Sequence, residues 1–235
     1  MTLDLKINAR PWLIGACLVA VALSGFIFIR KLIDFPVYYA AGRSLLGGRA
    51  DLYAADFALG PVMDYRYPPV FLFFFTPLWL LPYKLAAYLW YLLATLQIAG
   101  CVWILRRLYR AQKSHGLIWL ITGLATAQYF VMILHYGNAH LLAITLMFAA
   151  FYFVVEQKDH AAVVAMAFAI TIKLTPILIL PYFALKRKWR LLGFIATWIV
   201  ALNLLPAIYF GWAVNAQLLG TWYKHVVVNQ EFHET

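Results

Sequence analysis

The sequence predicts an all-α integral membrane protein, and three observations carry that prediction. Apolar residues fill 65% of the 235 positions and charged residues only 12%, about half the charged share of an average soluble domain. Mean hydropathy is +0.80. Seven apolar runs recur along the chain, at 12–29, 67–83, 85–105, 116–134, 141–155, 161–185 and 191–212, against the roughly 20 residues that a spanning helix needs. Nineteen Lys and Arg stand against nine Asp and Glu, which in a soluble chain would suggest nucleic acid. Here the surplus fits cytoplasmic loops under the positive-inside rule, and no nucleic-acid partner is expected. Cys17 and Cys101 both sit inside apolar runs, a poor setting for a structural disulfide or a thiolate metal site.

The elements follow in order. Run 12–29 is flanked by Lys6 and Arg10 before it and by Arg30 and Lys31 after it. It is long for a signal-peptide core and lacks an Ala-x-Ala cleavage site, so it reads as a first span with a cytoplasmic N-terminus. Residues 30–84 then form the first extracytoplasmic loop. Asp34-Phe35-Pro36 opens a helix that runs over 37–46 and closes at Gly47-Gly48. Segment 70–81 is a dozen apolar residues between prolines, about 18 Å of helix, too short for a hydrocarbon core of about 30 Å. It reads as re-entrant or interfacial. Run 161–185 is either one tilted helix or two short helices meeting at Lys173-Leu174-Thr175-Pro176.

Charge counting separates the topologies. If 70–81 stays on one side and 161–185 crosses twice, eleven Lys and Arg fall inside, seven outside, and Lys173 lies between. The opposite choice reverses that split, against the rule. The expectation is therefore a single transmembrane domain over 1–235, multi-pass in a cell membrane, with seven crossings. Its short helices within 161–185 have to be buried in protein. Four elements then share the outer face: loop 30–84, the turn His135-Tyr136-Gly137-Asn138, the junction at Lys173 and the tail from Trp212. They could converge on one site.

Candidate chemistry lies on that face. Loop 30–84 holds Asp34, Asp51, Asp56 and Asp64, four of the nine acidic residues. Asp34, beside Tyr38 and Tyr39, could act as a general base toward a hydroxyl or simply cap a helix. Lys173, in the middle of an apolar run, asks for an anionic partner such as a lipid-linked phosphate, unless it snorkels or pairs with Asp34 or Asp64. Arg66 and Tyr67, within Asp64-Tyr65-Arg66-Tyr67-Pro68-Pro69 and ahead of Phe71, Phe73, Phe74 and Phe75, could hold a headgroup above a lipid groove or belong to an interfacial aromatic belt. His135 and His140 are five apart across a turn, not at the spacing of a metal pair, and no metal is expected. Walker, dinucleotide and nucleophile-elbow patterns are missing.

Taken in order, these residues resemble glycosyltransferase family 87. The resemblance rests on Asp34-Phe35-Pro36-Val37-Tyr38-Tyr39-Ala40-Ala41-Gly42, on Leu45-Leu46-Gly47-Gly48 with Asp51-Leu52-Tyr53, and on Tyr65-Arg66-Tyr67-Pro68-Pro69 with Thr76-Pro77-Leu78. It continues in Lys173-Leu174-Thr175-Pro176 and Arg187-Lys188-Trp189-Arg190. It implies a GT-C-type bundle with helices in the first outer loop, and a polyprenyl-phosphate sugar donor, commonly mannose. It also implies a glycan or glycolipid acceptor, and neither cofactor nor metal. Asp34 would be the base of an inverting transfer; Lys173, with Arg66 and Tyr67, would meet the donor phosphate or lipid. Tyr38, Tyr39, Asn138 and His140 would be substrate contacts. Gly137-Asn138-Ala139-His140 departs from the family's Gly-Gln-x-Asn stretch. Members are usually longer, which implies an N-terminal portion of a larger enzyme. The competing readings are a non-catalytic carrier of a polyprenyl-phosphate lipid and an ion transporter, the latter short of a second intramembrane carboxylate to partner Lys173.

Overall fold

A computed structural model describes residues 11–48, 52–53, 65–109 and 116–228, and among them there is helix and no strand. The chain runs through α1 (Pro11–Phe28), α2 (Phe35–Leu46), α3 (Pro69–Phe74), α4 (Thr76–Trp79), α5 (Tyr83–Leu108), α6 (Gly116–Tyr136), α7 (His140–Val155) and α8 (Asp159–Ile172). A 3-10 turn at Thr175–Ile179 leads into α9 (Leu180–Leu185), then α10 (Trp189–Leu204), α11 (Ala207–Phe210), α12 (Trp212–Tyr223) and a π-helical turn at Lys224–Val228.

Prolines and glycines set most of these breaks. Thr76-Pro77 follows the break at Phe75, so 69–79 becomes two short helices rather than one rod, because proline removes a donor and crowds the preceding turn. Run 161–185 takes the two-helix form: Lys173 is extended, with φ −144° and ψ 132°, and Pro176 starts the 3-10 turn behind it. Run 191–212 also breaks, at Pro206 between α10 and α11. Helix α2 begins two residues earlier than the sequence reading and ends where expected, at Gly47, with Gly48 at φ +82°.

Among the described residues three helical segments are, by length and composition, long and apolar enough to cross a bilayer by themselves: Tyr83–Leu108, Gly116–Tyr136 and Trp189–Phe210. The other apolar helices are shorter, among them His140–Val155, Asp159–Ile172 and Thr175–Leu185. Helix α8 packs against both α7 and α10, and α5 against α7 and α1. The α1–α5 contact is close because Gly25 has no side chain: a Cβ there would lie 2.7 Å from Tyr88 Cε2. The Tyr88 hydroxyl donates to the Ala22 carbonyl at 2.9 Å, and Tyr91 to that of Val21 at 3.1 Å.

Among the described residues two apolar clusters result. One joins α7, α8, α9 and α10 through Ala150, Met166, Ile170, Phe183 and Ile195. The other, at the end of the bundle where α1 hands over to α2, is aromatic: Phe35, Tyr38, Phe71, Trp79 and Trp90 are all buried. Trp79 lies so close to Gly42 that any Cβ there would collide with its ring, and its indole N–H donates to the Leu72 carbonyl at 2.9 Å.

Candidate functional site

Asp34 occupies the N-cap position of α2 but does not behave as a cap. Its backbone is αR, with φ −84° and ψ −37°, and its side chain makes no capping hydrogen bond, whereas a capping side chain normally accepts from the first turn while its backbone stays extended. Instead its carbonyl accepts from Val37 N–H at 3.1 Å and Tyr38 N–H at 3.3 Å. Its own N–H, and that of Ile33, donate to the Tyr136 carbonyl at 2.9 and 3.2 Å. Asp34 lines a cavity of about 670 Å³, a volume typical of small-molecule sites.

All four elements that the sequence reading placed on one face line this cavity: Asp34, Tyr38, Arg66 and Tyr67 from segment 30–84, Tyr136, Asn138 and His140 from the α6–α7 turn, Thr171 to Thr175 around the Lys173 junction, and Trp222 and Val226 from the tail. Lys173 reaches it because the chain leaves the α-helix at that residue. Tyr38 and Tyr67 are joined by a hydroxyl–hydroxyl bond of 3.0 Å, Tyr38 donating. The Tyr67 carbonyl accepts the Tyr53 hydroxyl at 2.7 Å, and the Arg66 carbonyl accepts the Trp222 indole N–H at 3.1 Å. Asn138 Oδ1 accepts from His140 N–H at 3.2 Å, starting α7. Tyr39 is turned away: its hydroxyl donates to the Leu81 carbonyl at 2.7 Å, its ring packs on Tyr83, and it does not line the cavity. Asp51, Asp56 and Asp64 lie outside the described residues.

Electrostatics distinguish Asp34. Burial raises its pKa from the ordinary 3.8 to about 6, a rise that the Lys173 charge opposes. It is thus a carboxylate that can both take and release a proton near neutral pH. Burial also raises the phenols of Tyr38 and Tyr67, which stay protonated as donors. Asp34 is the cavity's one carboxylate among the described residues, and it shares the lining with the cations Arg66 and Lys173. Among the described residues no group of three or more His, Cys, Asp or Glu is arranged for a metal ion.

The structure adds residues that the sequence reading did not single out, chiefly Met132, Thr171, Trp222 and Val226. Met132 and Val226 carry no sequence signal, being apolar residues among apolar residues. Thr171 had one, since it stands two residues before the anomalous Lys173.

Comparison with known families decides the class. The profile of glycosyltransferase family 87 matches residues 65–234, 170 of the 235 positions. The chain belongs to glycosyltransferase family 87. It is accordingly an all-α membrane protein of a glycosyltransferase family. The matched region contains Arg66, Tyr67, the α6–α7 turn and Lys173, whereas Asp34 and Tyr38 precede it. No curated protein and no solved structure matches the chain.

Proposed function

We propose that this family 87 chain transfers a hexose, with mannose the first sugar to test, from a polyprenyl phosphate to a glycan or glycolipid hydroxyl on the extracytoplasmic face. The observation that carries the proposal is Asp34, a partly buried carboxylate with a pKa of about 6 and a free side chain, across one cavity from Lys173. In the proposed step the acceptor hydroxyl oxygen attacks the anomeric carbon as Asp34 takes its proton. The bond from that carbon to the phosphate oxygen breaks on the opposite side, and polyprenyl phosphate leaves with the electron pair. Lys173 and Arg66 meet the charge that builds on the phosphate. One displacement inverts the anomeric centre. Tyr38, Tyr67, Asn138 and His140 are polar walls for substrate hydroxyls.

The topology that goes with this reading is seven crossings: α1, α5, α6, α7, α8, the 3-10 turn with α9, and α10. The cytoplasmic excess of Lys and Arg supports it. The partial burial of the short helices α8 and α9 against α7 and α10 supports it too.

The test is transfer of labelled mannose from polyprenyl-phosphate mannose in membranes containing the chain or its Asp34→Asn variant. Loss of about 10²–10⁴-fold is expected from the variant, the range for a general base, with membrane insertion unchanged. Near-normal transfer by Asp34→Asn removes Asp34 from the role. Lipid binding without transfer, by any version and with any donor sugar, favours a carrier instead.

A further inference from the structure

The end of the bundle away from the cavity holds two strained turns. Helix α7 starts at the cavity with His140 and ends at Val155, about 24 Å away at 1.5 Å per residue. The α9–α10 turn lies at that far end. The rings of Phe151 and Phe183, 6.0 Å apart, join α7 to the last turn of α9, and those of His160 and Phe194, 6.4 Å apart, join the start of α8 to that of α10.

Helices α7 and α9 stop there in the same way. After α7, Gln157 N–H donates to the Val154 carbonyl at 3.2 Å and Lys158 N–H to that of Phe153 at 2.8 Å. After α9, Arg187 N–H donates to the Ala184 carbonyl at 2.9 Å and Lys188 N–H to that of Phe183 at 3.0 Å. This pair of bonds needs a left-handed residue, and glycine is the low-cost choice for it. The chain instead places Gln157 there at φ 58° and Arg187 at φ 55°, the two non-glycine residues with positive φ among the described residues. A strained backbone that holds a charged side chain is a reason to ask what the charge does.

Its surroundings are cationic and apolar together. Lys186, Arg187, Lys188 and Arg190 are all exposed in the α9–α10 turn, as is Lys158 in the neighbouring one, where Glu156 and Asp159 are the carboxylates. Among those cations Leu185 and Trp189 are 85% and 64% exposed, and Lys186 Nζ lies 5.9 Å over the Tyr182 ring. That mixture suits a membrane–water interface, with rings and aliphatic chains at headgroup level and cations on the phosphates. A soluble polyanion would meet the cations but would leave Leu185 and Trp189 in water. We propose that turn 186–190 is a docking site for anionic phospholipid headgroups in the leaflet away from the cavity, with Arg187 held in its left-handed conformation as a phosphate contact. The positive-inside bias asks only that cations lie on one side, and lysine or arginine elsewhere in the turn would meet it without the strain at Arg187.

The experiment measures thermal unfolding of the full chain in nanodiscs of phosphatidylcholine, and of phosphatidylcholine mixed with phosphatidylglycerol, for the wild type, Arg187→Gly, Arg187→Lys and Gln157→Gly. Phosphatidylglycerol should raise the unfolding temperature of the wild type. Arg187→Gly should lose about 2–4 °C of that rise, the worth of one cation near an anionic surface. In phosphatidylcholine alone it should unfold above the wild type, because the strain is relieved. Arg187→Lys, which keeps a cation, should keep most of the rise, and Gln157→Gly, which relieves the same strain without a change of charge, should keep all of it. No rise in the wild type, or an equal rise in Arg187→Gly, overturns the proposal. A loss in Gln157→Gly as large as that in Arg187→Gly overturns it too, since the backbone of the turns rather than the charge would then matter. Arg187→Gly unfolding below the wild type in phosphatidylcholine would mean that the Arg187 side chain holds the fold, and removes it as a phosphate contact. Glycerophosphoglycerol, the headgroup without its chains, is added to phosphatidylcholine discs as a last arm. No rise with it supports a lipid surface, and a rise equal to the lipid's overturns lipid docking in favour of a soluble phosphodiester. None of these readouts needs sugar transfer, so the proposal stands or falls apart from the enzymatic reading.

Discussion

Around Phe35 the chain is packed as densely as a soluble core, while along α6 no side chain is buried. Phe35 is fully buried, with the rings of Trp79, Tyr83 and Trp90 centred within 6.2 Å of its own. Helix α6 exposes Leu117 and Leu124 at 65% and 69%. The two regions nevertheless meet at one point. Tyr136, at the end of α6, accepts the backbone N–H groups of Ile33 and Asp34, and the Gly137 carbonyl accepts the Trp90 indole N–H at 2.8 Å. A helix can thus leave its side chains exposed along its length and still hold the backbone of Asp34 with its last residue. Lipid satisfies apolar side chains as well as protein does, whereas the backbone polar groups at the helix end need protein partners.

The contrast can be broken or sharpened by substitution. The largest effect belongs to the aromatic floor: Trp79→Ala removes a ring that is 1% exposed together with its bond to Leu72, and should destabilise the protein by about 3–5 kcal/mol in reversible unfolding. A value near zero would show that the cluster does not hold this end of the bundle. Next comes the joint between the regions. Gly137 has φ +66°, and a Cβ there would stand 2.7 Å from Leu32 Cδ2 and 3.3 Å from Phe35 Cβ. Gly137→Ala should cost about 1–3 kcal/mol and lower kcat more than it raises the donor KM, since Asp34 hangs from the same turn. An unchanged kcat would separate the turn from the carboxylate.

A smaller effect concerns pH. In its proposed role as base Asp34 must be ionised, so transfer should rise with pH through about 6. Lys173→Met removes the opposing charge and should move that midpoint upward. A midpoint that does not move would mean that Lys173 and Asp34 do not sense one another. The sign for stability is opposite: a raised folded pKa makes a contribution that is complete below 3.8 and lost as pH rises through about 6, so Asp34→Asn should unfold at a higher temperature than wild type at pH 7. The smallest effect is on α6, where Leu124→Ala should change stability by less than about 0.5 kcal/mol. A larger loss would reveal a protein partner on that face.

Much of this was legible without coordinates. Hydropathy alone called for an apolar helical bundle, because backbone groups in lipid must pair within the segment, and Pro36, Gly47 and Pro176 marked helix boundaries that the structure respects, whereas the division of 70–81 at Phe75 was not anticipated. Asp34 and Lys173 stood out because charge is costly where they sit. Tyr39 reads like its neighbour Tyr38 in sequence, yet the rotation of α2 sends one hydroxyl to Tyr67 and the other to Leu81. The cap expected of Asp34 also failed to form, because its backbone entered the helical region while its N–H went to Tyr136.

By itself the sequence determined the class of the protein, the positions of its helix breaks and the charged residues worth suspecting, since those follow from local composition and from the bilayer as solvent. Only the tertiary structure decided which of them share a cavity, and that Arg187 follows α9 in a left-handed conformation. Such facts depend on which face each helix turns inward and on where a chain leaves its helix, and both are settled by packing between segments far apart in sequence.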